Sequence, residues 1–348
     1  MKIPLGTRSY ERYPYTVTRI KVMKSLLLKK ADYLKMSAMG YHEIAKTLEE
    51  GQYHEDVAKL AGRYAGVELL ERALTENFAR TLNKMMFIAH KKEVKELIET
   101  YTCKWVFSNL KLLMKQRMNM IAEQELEKLL ISVEPLDATM IHELQKAPLP
   151  VLTKKVSMLS GIPERTVRTW CEQKQFLEME NGLDKAYYEK LKTFAKSKKL
   201  ANRDPLKQFF IDSIALLNIK TILRSKAKQA TSKKIHASLI ALDETHDLEE
   251  RLIAAPDINS ALFQLKKTKW KVIGDDRIAK DLSMLETRSE EFLYQYGFTL
   301  LHRKPLSVAP IFGFMLLKEI ELRNLRFFIH AKSLGLEKLY IEQNIIGG

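Results

Sequence analysis

The chain has 348 residues, 46% hydrophobic and 29% charged, with 58 Lys/Arg against 43 Asp/Glu and a net charge of +15. That length suits two or three domains of about 100–200 residues, and the apolar share excludes a generally disordered chain. With only 13 Gly and 10 Pro it lacks the turn residues of an all-β fold, and its positive charge points to an acidic partner: nucleic acid, an anionic membrane surface or acidic protein.

Met1 to Tyr15 lacks the apolar stretch of a signal peptide. Ile20, Met23, Leu26 and Leu27 predict one helix over 15–34, and a short helix over 41–49 should end near Gly51. Residues 67–99 carry long helical patterns without Pro, and helix resumes over 101–118 and 121–130. Cys103 and Cys171, the two cysteines, form no CxxC pair. A disulfide framework or zinc site is therefore not expected, and the chain suits a reducing cytoplasm. Turn signals follow at 148–150, 161–163, 202–205 and Pro256. Residues 154–172 read as a helix-turn-helix: Val156 and Leu159 on a first helix, Gly161 at the turn, then Pro163, Thr166, Val167 and Trp170. Residues 187–200 and 210–227 are helical, and from Lys185 to Ile235 there are 14 Lys/Arg against 3 Asp/Glu. A helix over 281–296 has Gly297 as its stop signal, and a last one spans 316–333. The longest apolar run, Val308 to Leu317, has ten residues, where a membrane-spanning helix needs about 20.

Three of these helices align without gaps: Tyr101 to Met118, Phe210 to Ala227 and Leu316 to Ser333. Each centres on an asparagine, Asn109, Asn218 or Asn324, at spacings of 109 and 106 residues. Four positions before it stand Trp105, Ile214 and Ile320. One after stand Leu110, Ile219 and Leu325, and four after Leu113, Ile222 and Phe328. These offsets share one helical face with the asparagine, so its amide is expected to be buried and to tie its helix to a neighbouring backbone. A basic row lies on the opposite face: Lys111, Lys220 and Arg326 at offset +2, then Lys115, Arg224 and His330 at +6. Such a row is either a solvated face or a contact for acidic groups. At +8, Arg117, Lys226 and Lys332 fall where burial should end and a cation suits the helix dipole. The repeat gives an all-α fold of three units, 1–124, 125–231 and 232–348.

Near the N-terminus stand Tyr13-Pro-Tyr15-Thr-Val-Thr-Arg19, then Met23, Leu26 and Leu27. Near the C-terminus stand Lys318 to Arg326, then Lys332, Gly335 and Leu336. With the threefold repeat, these ends resemble the C subunit of A/V-type ATP synthases, the family that includes the d subunit of the eukaryotic vacuolar ATPase. The resemblance runs over essentially the whole chain, although its local motifs are loose. It implies three similar helical bundles about a pseudo-threefold axis, shaped as a funnel. The funnel would sit on the cytoplasmic face of the cell membrane, between the proteolipid rotor ring and the central-stalk subunits of the soluble head. It also implies a non-catalytic subunit without a cofactor, a metal or direct nucleotide contact. Candidate partner-contacting residues are Tyr13, Tyr15, Arg19, Lys111, Lys115, Lys220, Arg224 and Arg326.

Two other readings stay open. The helix-turn-helix with its basic surroundings could bind DNA through phosphate contacts, although the other two units carry no such form in sequence. An enzyme is the weaker alternative. No GxxxxGK, GxGxxG, GxSxG or HExxH is present, and the acidic pairs Glu49-Glu50 and Glu290-Glu291 read as exposed helix faces.

Overall fold

A computed structural model describes residues 14–89, 92–197, 205–302 and 307–347. Among them the chain is helical, with a single isolated antiparallel bridge between Val133 and Leu136. After α1 (Pro14–Ser25), three short helices, α2 (Lys30–Ser37), α3 (Tyr41–Glu49) and α4 (His54–Leu60), lead into two long ones, α5 (Gly66–Ile88) and α6 (Lys92–Arg117). The sequence of short then long recurs. The short helices α7 (Glu123–Leu129), α8 (Ala138–Lys146), α9 (Leu149–Ser160) and α10 (Glu164–Glu172) precede the long α11 (Phe176–Lys196) and α12 (Pro205–Ala227). It recurs again as α13 (Ser232–Ser238), α14 (His246–Ala254), α15 (Ile258–Lys266) and a 3-10 turn at Asp276–Ala279, before the long α16 (Met284–His302) and α17 (Ala309–Ser333). The last helix is α18 (Lys338–Asn344).

The described residues pack as two compact units, one from 192–320 with 346–347, the other from 14–191 with 321–345. The core of the first is aromatic: Phe312 stands 4.8 Å from Phe209 and 5.4 Å from Phe210, ring to ring. The core of the second lies along α5 and α6, where Phe78 meets Trp105 edge-on at 5.0 Å. Such edge contacts add about 1 kcal/mol to area burial.

The helix expected over 15–34 is two helices. Glu321 Oε2 accepts from the backbone N–H of Leu28 at 2.7 Å, and Asp32 accepts from that of Lys29 at 2.7 Å. Both N–H groups are diverted from helical pairing, so the chain turns and α2 starts afresh. The short helix 41–49 is found as expected. The stretch 67–99 is interrupted after Ile88. Gly297 does not stop its helix; α16 continues to His302. Instead it lets α16 and α17 touch backbone to backbone: a Cβ on Gly297 would stand 3.0 Å from Leu316 Cβ, and one on Gly313 would stand 2.7 Å from Gly297 O. Glycine here serves close approach rather than termination.

Candidate functional site

The three asparagine helices are α6, α12 and α17, and Asn109, Asn218 and Asn324 are all buried. Asn109 Nδ2 donates to the carbonyl of Ile131 at 2.6 Å, and its Oδ1 accepts from the N–H of Ile131 at 3.1 Å. Asn218 pairs with Ile240 in the same way, at 2.8 and 3.0 Å, again 22 residues onward. A primary amide offers a donor and an acceptor side by side, so it can match a backbone residue on both counts. Neither leucine nor aspartate could do so. Asn218 Nδ2 also donates to the buried Glu249 at 2.8 Å, and Glu249 accepts from Thr245 Oγ1 at 2.7 Å. Asn324 faces the hydroxyl of Tyr33, whose phenol burial raises well above 10.0.

What presents these backbone residues is itself repeated. A seven-residue helix follows each asparagine helix: α7, α13 and α18 end at Leu129, Ser238 and Asn344, each 20 residues after its asparagine. Each is anchored by a buried side chain, Leu126, Ile235 and Ile341, and each is followed by a residue with extended backbone: Leu130, Leu239 and Ile345. The first of these is the helix expected over 121–130, and the other two stand at the same offset in the gapless alignment.

The cationic rows lie against neighbouring long helices. At +6, Lys115 pairs with Glu180 of α11 at 3.0 Å, Arg224 with Glu286 of α16, and His330 with Glu71 of α5 at 2.8 Å. Each of those glutamates stands 38 residues before the asparagine of its own long-helix pair, another repeated position unread in the sequence. At +2, Lys111 pairs with Asp184 at 2.7 Å and Lys220 with Glu286 at 3.0 Å. Arg326 Nη2 instead donates to Thr75 Oγ1 at 2.9 Å. Desolvation draws the Arg326 guanidinium down from its ordinary value, with the charge of Glu71 opposing. At +8 the cations sit at the ends of other helices. Arg117 donates to the carbonyls of Gln145, at 3.0 Å, and Ala147 beyond α8. Lys226 donates to those of Ile253, at 2.8 Å, and Ala255 beyond α14, and Lys332 to Ser37 at the end of α2 at 3.2 Å. Last-turn carbonyls have no partner within their own helix, so a cation there satisfies both the lone pairs and the dipole.

Thus α6 docks on α11 and the end of α8, α12 on α16 and the end of α14, and α17 on α5 and the end of α2. Part-exposed ion pairs of this kind contribute at most about 1 kcal/mol each; their use is to fix register. Of the remaining candidates, Tyr15 is exposed on α1 with the Arg19 guanidinium 5.9 Å from its ring centre. Tyr13 lies outside the described residues.

The helix-turn-helix is present as α9 and α10, with Gly161 left-handed at the turn (φ 78°). The inner face of α10 is occupied: Trp170 and Val167 are buried, and the Trp170 ring lies 2.5 Å from where a Gly182 Cβ would stand on α11. Short elements also precede the other two long-helix pairs. α3 and α4 precede α5, and α15 with its 3-10 turn precedes α16, in the same place.

These features define an all-helical scaffold built on an internal repeat, with its recurring polar residues spent on holding helix to helix. Residues 16–344 match the family model described as ATP synthase (C/AC39) subunit. Curated relatives, each named as the C subunit of an A-type ATP synthase, include that of Methanosarcina acetivorans, 26% identical over 96% of this chain and 92% of the relative, and that of Methanococcoides burtonii, 28% identical over 97% and 95%. That of Archaeoglobus fulgidus is 27% identical over 96% of each. The chain belongs to the ATP synthase (C/AC39) subunit family. Among its described residues no helix is long and apolar enough to cross a membrane.

Proposed function

We propose that this chain is the non-catalytic central-stalk subunit of a rotary ATP synthase or ATPase, coupling a membrane rotor ring to the central shaft. Its partners are then the stalk subunits of the soluble head and the proteolipid ring, and its place is the cytoplasmic face of the cell membrane. It needs no cofactor, metal or nucleotide of its own. Within this reading, residues 1–124, 125–231 and 232–348 form three equivalent bundles about a pseudo-threefold axis, shaped as a funnel.

One observation carries the reading beyond family membership: the same helix junction recurs three times in cyclic order. The +6 basic residue of each asparagine helix, Lys115, Arg224 or His330, meets the equivalent glutamate, Glu180, Glu286 or Glu71, of another long-helix pair. The third such contact falls on α5, near the start of the chain. Repeated docking of one long helix on another stiffens each junction against twisting, and a component that passes torque needs that. Lys111, Lys115, Lys220, Arg224 and Arg326 serve this frame first, and an acidic group on stalk or ring would share them. Tyr13, Tyr15 and Arg19 stay candidates for contact with a partner.

The test is affinity capture of the tagged chain from detergent-solubilised membranes. Recovery of ring and head-stalk subunits is the expected result. Recovery of neither, with tight salt-sensitive retention on duplex DNA, would overturn it in favour of the helix-turn-helix reading.

A further inference from the structure

Each asparagine helix is followed by a seven-residue arm, and one position of that arm differs in chemistry among the three. Eighteen residues after Asn109 and Asn324 stand Glu127 and Glu342; eighteen after Asn218 stands His236. Glu127 meets Arg72 at 3.6 Å and Glu342 meets Lys338 at 3.7 Å, pairings without a side-chain type that titrates near neutral pH. His236 Nε2 stands 2.8 Å from Glu250 Oε1 on α14, and its Nδ1 stands 2.7 Å from the carbonyl oxygen of Ser232. A carbonyl and a carboxylate both accept, so both ring nitrogens must donate, and only the imidazolium carries two N–H groups. The geometry therefore requires a cationic ring.

The arm that His236 braces has little else to hold it. α13 has seven residues, too few for a helix to persist unaided. Ile235 is its one buried side chain, its N-cap Thr231 makes no side-chain cap hydrogen bond, and Gln229 in the turn before it is left-handed (φ 54°). Its far end leads to Ile240, whose N–H and carbonyl meet Asn218. From α14 the ring is faced by Glu250, with His246 of the same helix 4.0 Å from that carboxylate oxygen. Lys233 and Lys234 lie beside it on α13, and no charged group of α12 acts on it. The Ser232 carbonyl, and then Glu250, raise its proton affinity above the ordinary histidine value of 6.5. With the value raised in the fold, the added hold is complete below about pH 6.5 and is lost as the pH climbs through the raised value. We infer that His236 and Glu250 form a proton-operated latch: the imidazolium fixes α13 to α14 and keeps Ile240 on Asn218, and deprotonation frees this arm while the arms of α7 and α18 stay fixed. This goes beyond the stalk reading and does not depend on it.

Amide hydrogen exchange of the full chain is followed at about pH 6 and about pH 8, each rate divided by the chemical rate for that pH. Protection across residues 231–240 should fall about threefold between the two. Protection across 122–131, the arm that carries Glu127, should not change. NMR of ring-labelled histidine should show His236 titrating above the ordinary histidine value, and Glu250→Gln should lower that value. His236→Gln, at an exposed position, should keep the helical circular dichroism and abolish the difference between the two pH values. Titration of His236 at or below the ordinary value overturns the proposal, as does equal loosening of both arms or a pH dependence that persists in His236→Gln. A raised titration with unchanged protection overturns it too, since the pair would then be a surface contact that holds nothing. Capture of ring and stalk subunits reads out separately, so the two readings can fail independently.

Discussion

The repeated asparagines show how much one buried amide can settle. Asn109 meets both polar groups of Ile131, while Asn218 meets those of Ile240 and a buried carboxylate besides. Truncation leaves those groups buried and unpaired, at a cost of about 1–3 kcal/mol for each that water cannot reach. Asn109→Ala should therefore lose about 2 kcal/mol of stability, and Asn218→Ala more, about 3–4 kcal/mol, because Glu249 would keep Thr245 alone of its two hydrogen-bond donors. Urea denaturation of both variants checks the order. Equal losses would mean that the Glu249 contact contributes nothing. The Asn positions and their burial were legible from spacing, because a polar residue that recurs on an apolar stripe must find its hydrogen bonds inside the fold. Their partners were not: Ile131 and Ile240 offer main-chain atoms, and main-chain atoms leave no mark in side-chain identity.

At the scale of elements, the sequence was most readable where one helix buries one face and least readable where helices meet. The three asparagine helices followed from apolar periodicity. The division of 15–34 did not, since its cause is Glu321, about 290 residues away in the chain. The cationic rows could be seen, but their meaning could not. A Lys at +6 looks the same whether it faces solvent, a partner or Glu180, and only the unnoticed glutamate recurrence distinguished the last. Gly297 misled for a related reason. Glycine ends helices through its left-handed backbone, yet it also permits contact between helices, and nothing local separates the two uses. The crossing at Gly297 and Gly313 gives a sharp test. Gly313→Ala gains about 1 kcal/mol of helix propensity but sets a methyl 2.7 Å from Gly297 O and 2.9 Å from Leu301 N, backbone atoms that cannot swing aside. Overpacking of this kind costs about 1–3 kcal/mol, so a net loss in melting temperature is expected. Gly62→Ala, whose new methyl meets nothing within 4 Å, should be neutral or slightly stabilising. A stabilised Gly313→Ala would show that the helices part without cost.

Across the whole chain, the three junctions share their +6 and +8 contacts but not their connectivity. α6 and α12 dock on helices that follow soon after them, whereas α17 docks on α2 and α5, and the chain offers no short link between these. At that junction a different residue appears. Three positions before the asparagines stand Val106, Ala215 and Glu321, and the buried Glu321 accepts from the N–H of Leu28, from Gln52 Nε2 and from Tyr53 OH, each at 2.7 Å. Burial, and then the Glu321 charge, push the Tyr53 phenol well above 10.0, so it stays a protonated donor. One carboxylate thereby binds two segments of the early chain, through three donors, to a late helix. Glu321→Ala would strand all three donors and should cost about 3 kcal/mol or more. Glu321→Gln, which keeps an acceptor oxygen in place, should cost less. The loss should be regional: amide hydrogen exchange should quicken across residues 26–60, while residues 164–191, around Trp170 and Gly182, keep their protection. Equal acceleration in both regions would mean that the junction opens only with the whole of the surrounding unit, and Glu321 would then be an ordinary core contact rather than the clasp between the two ends of the chain.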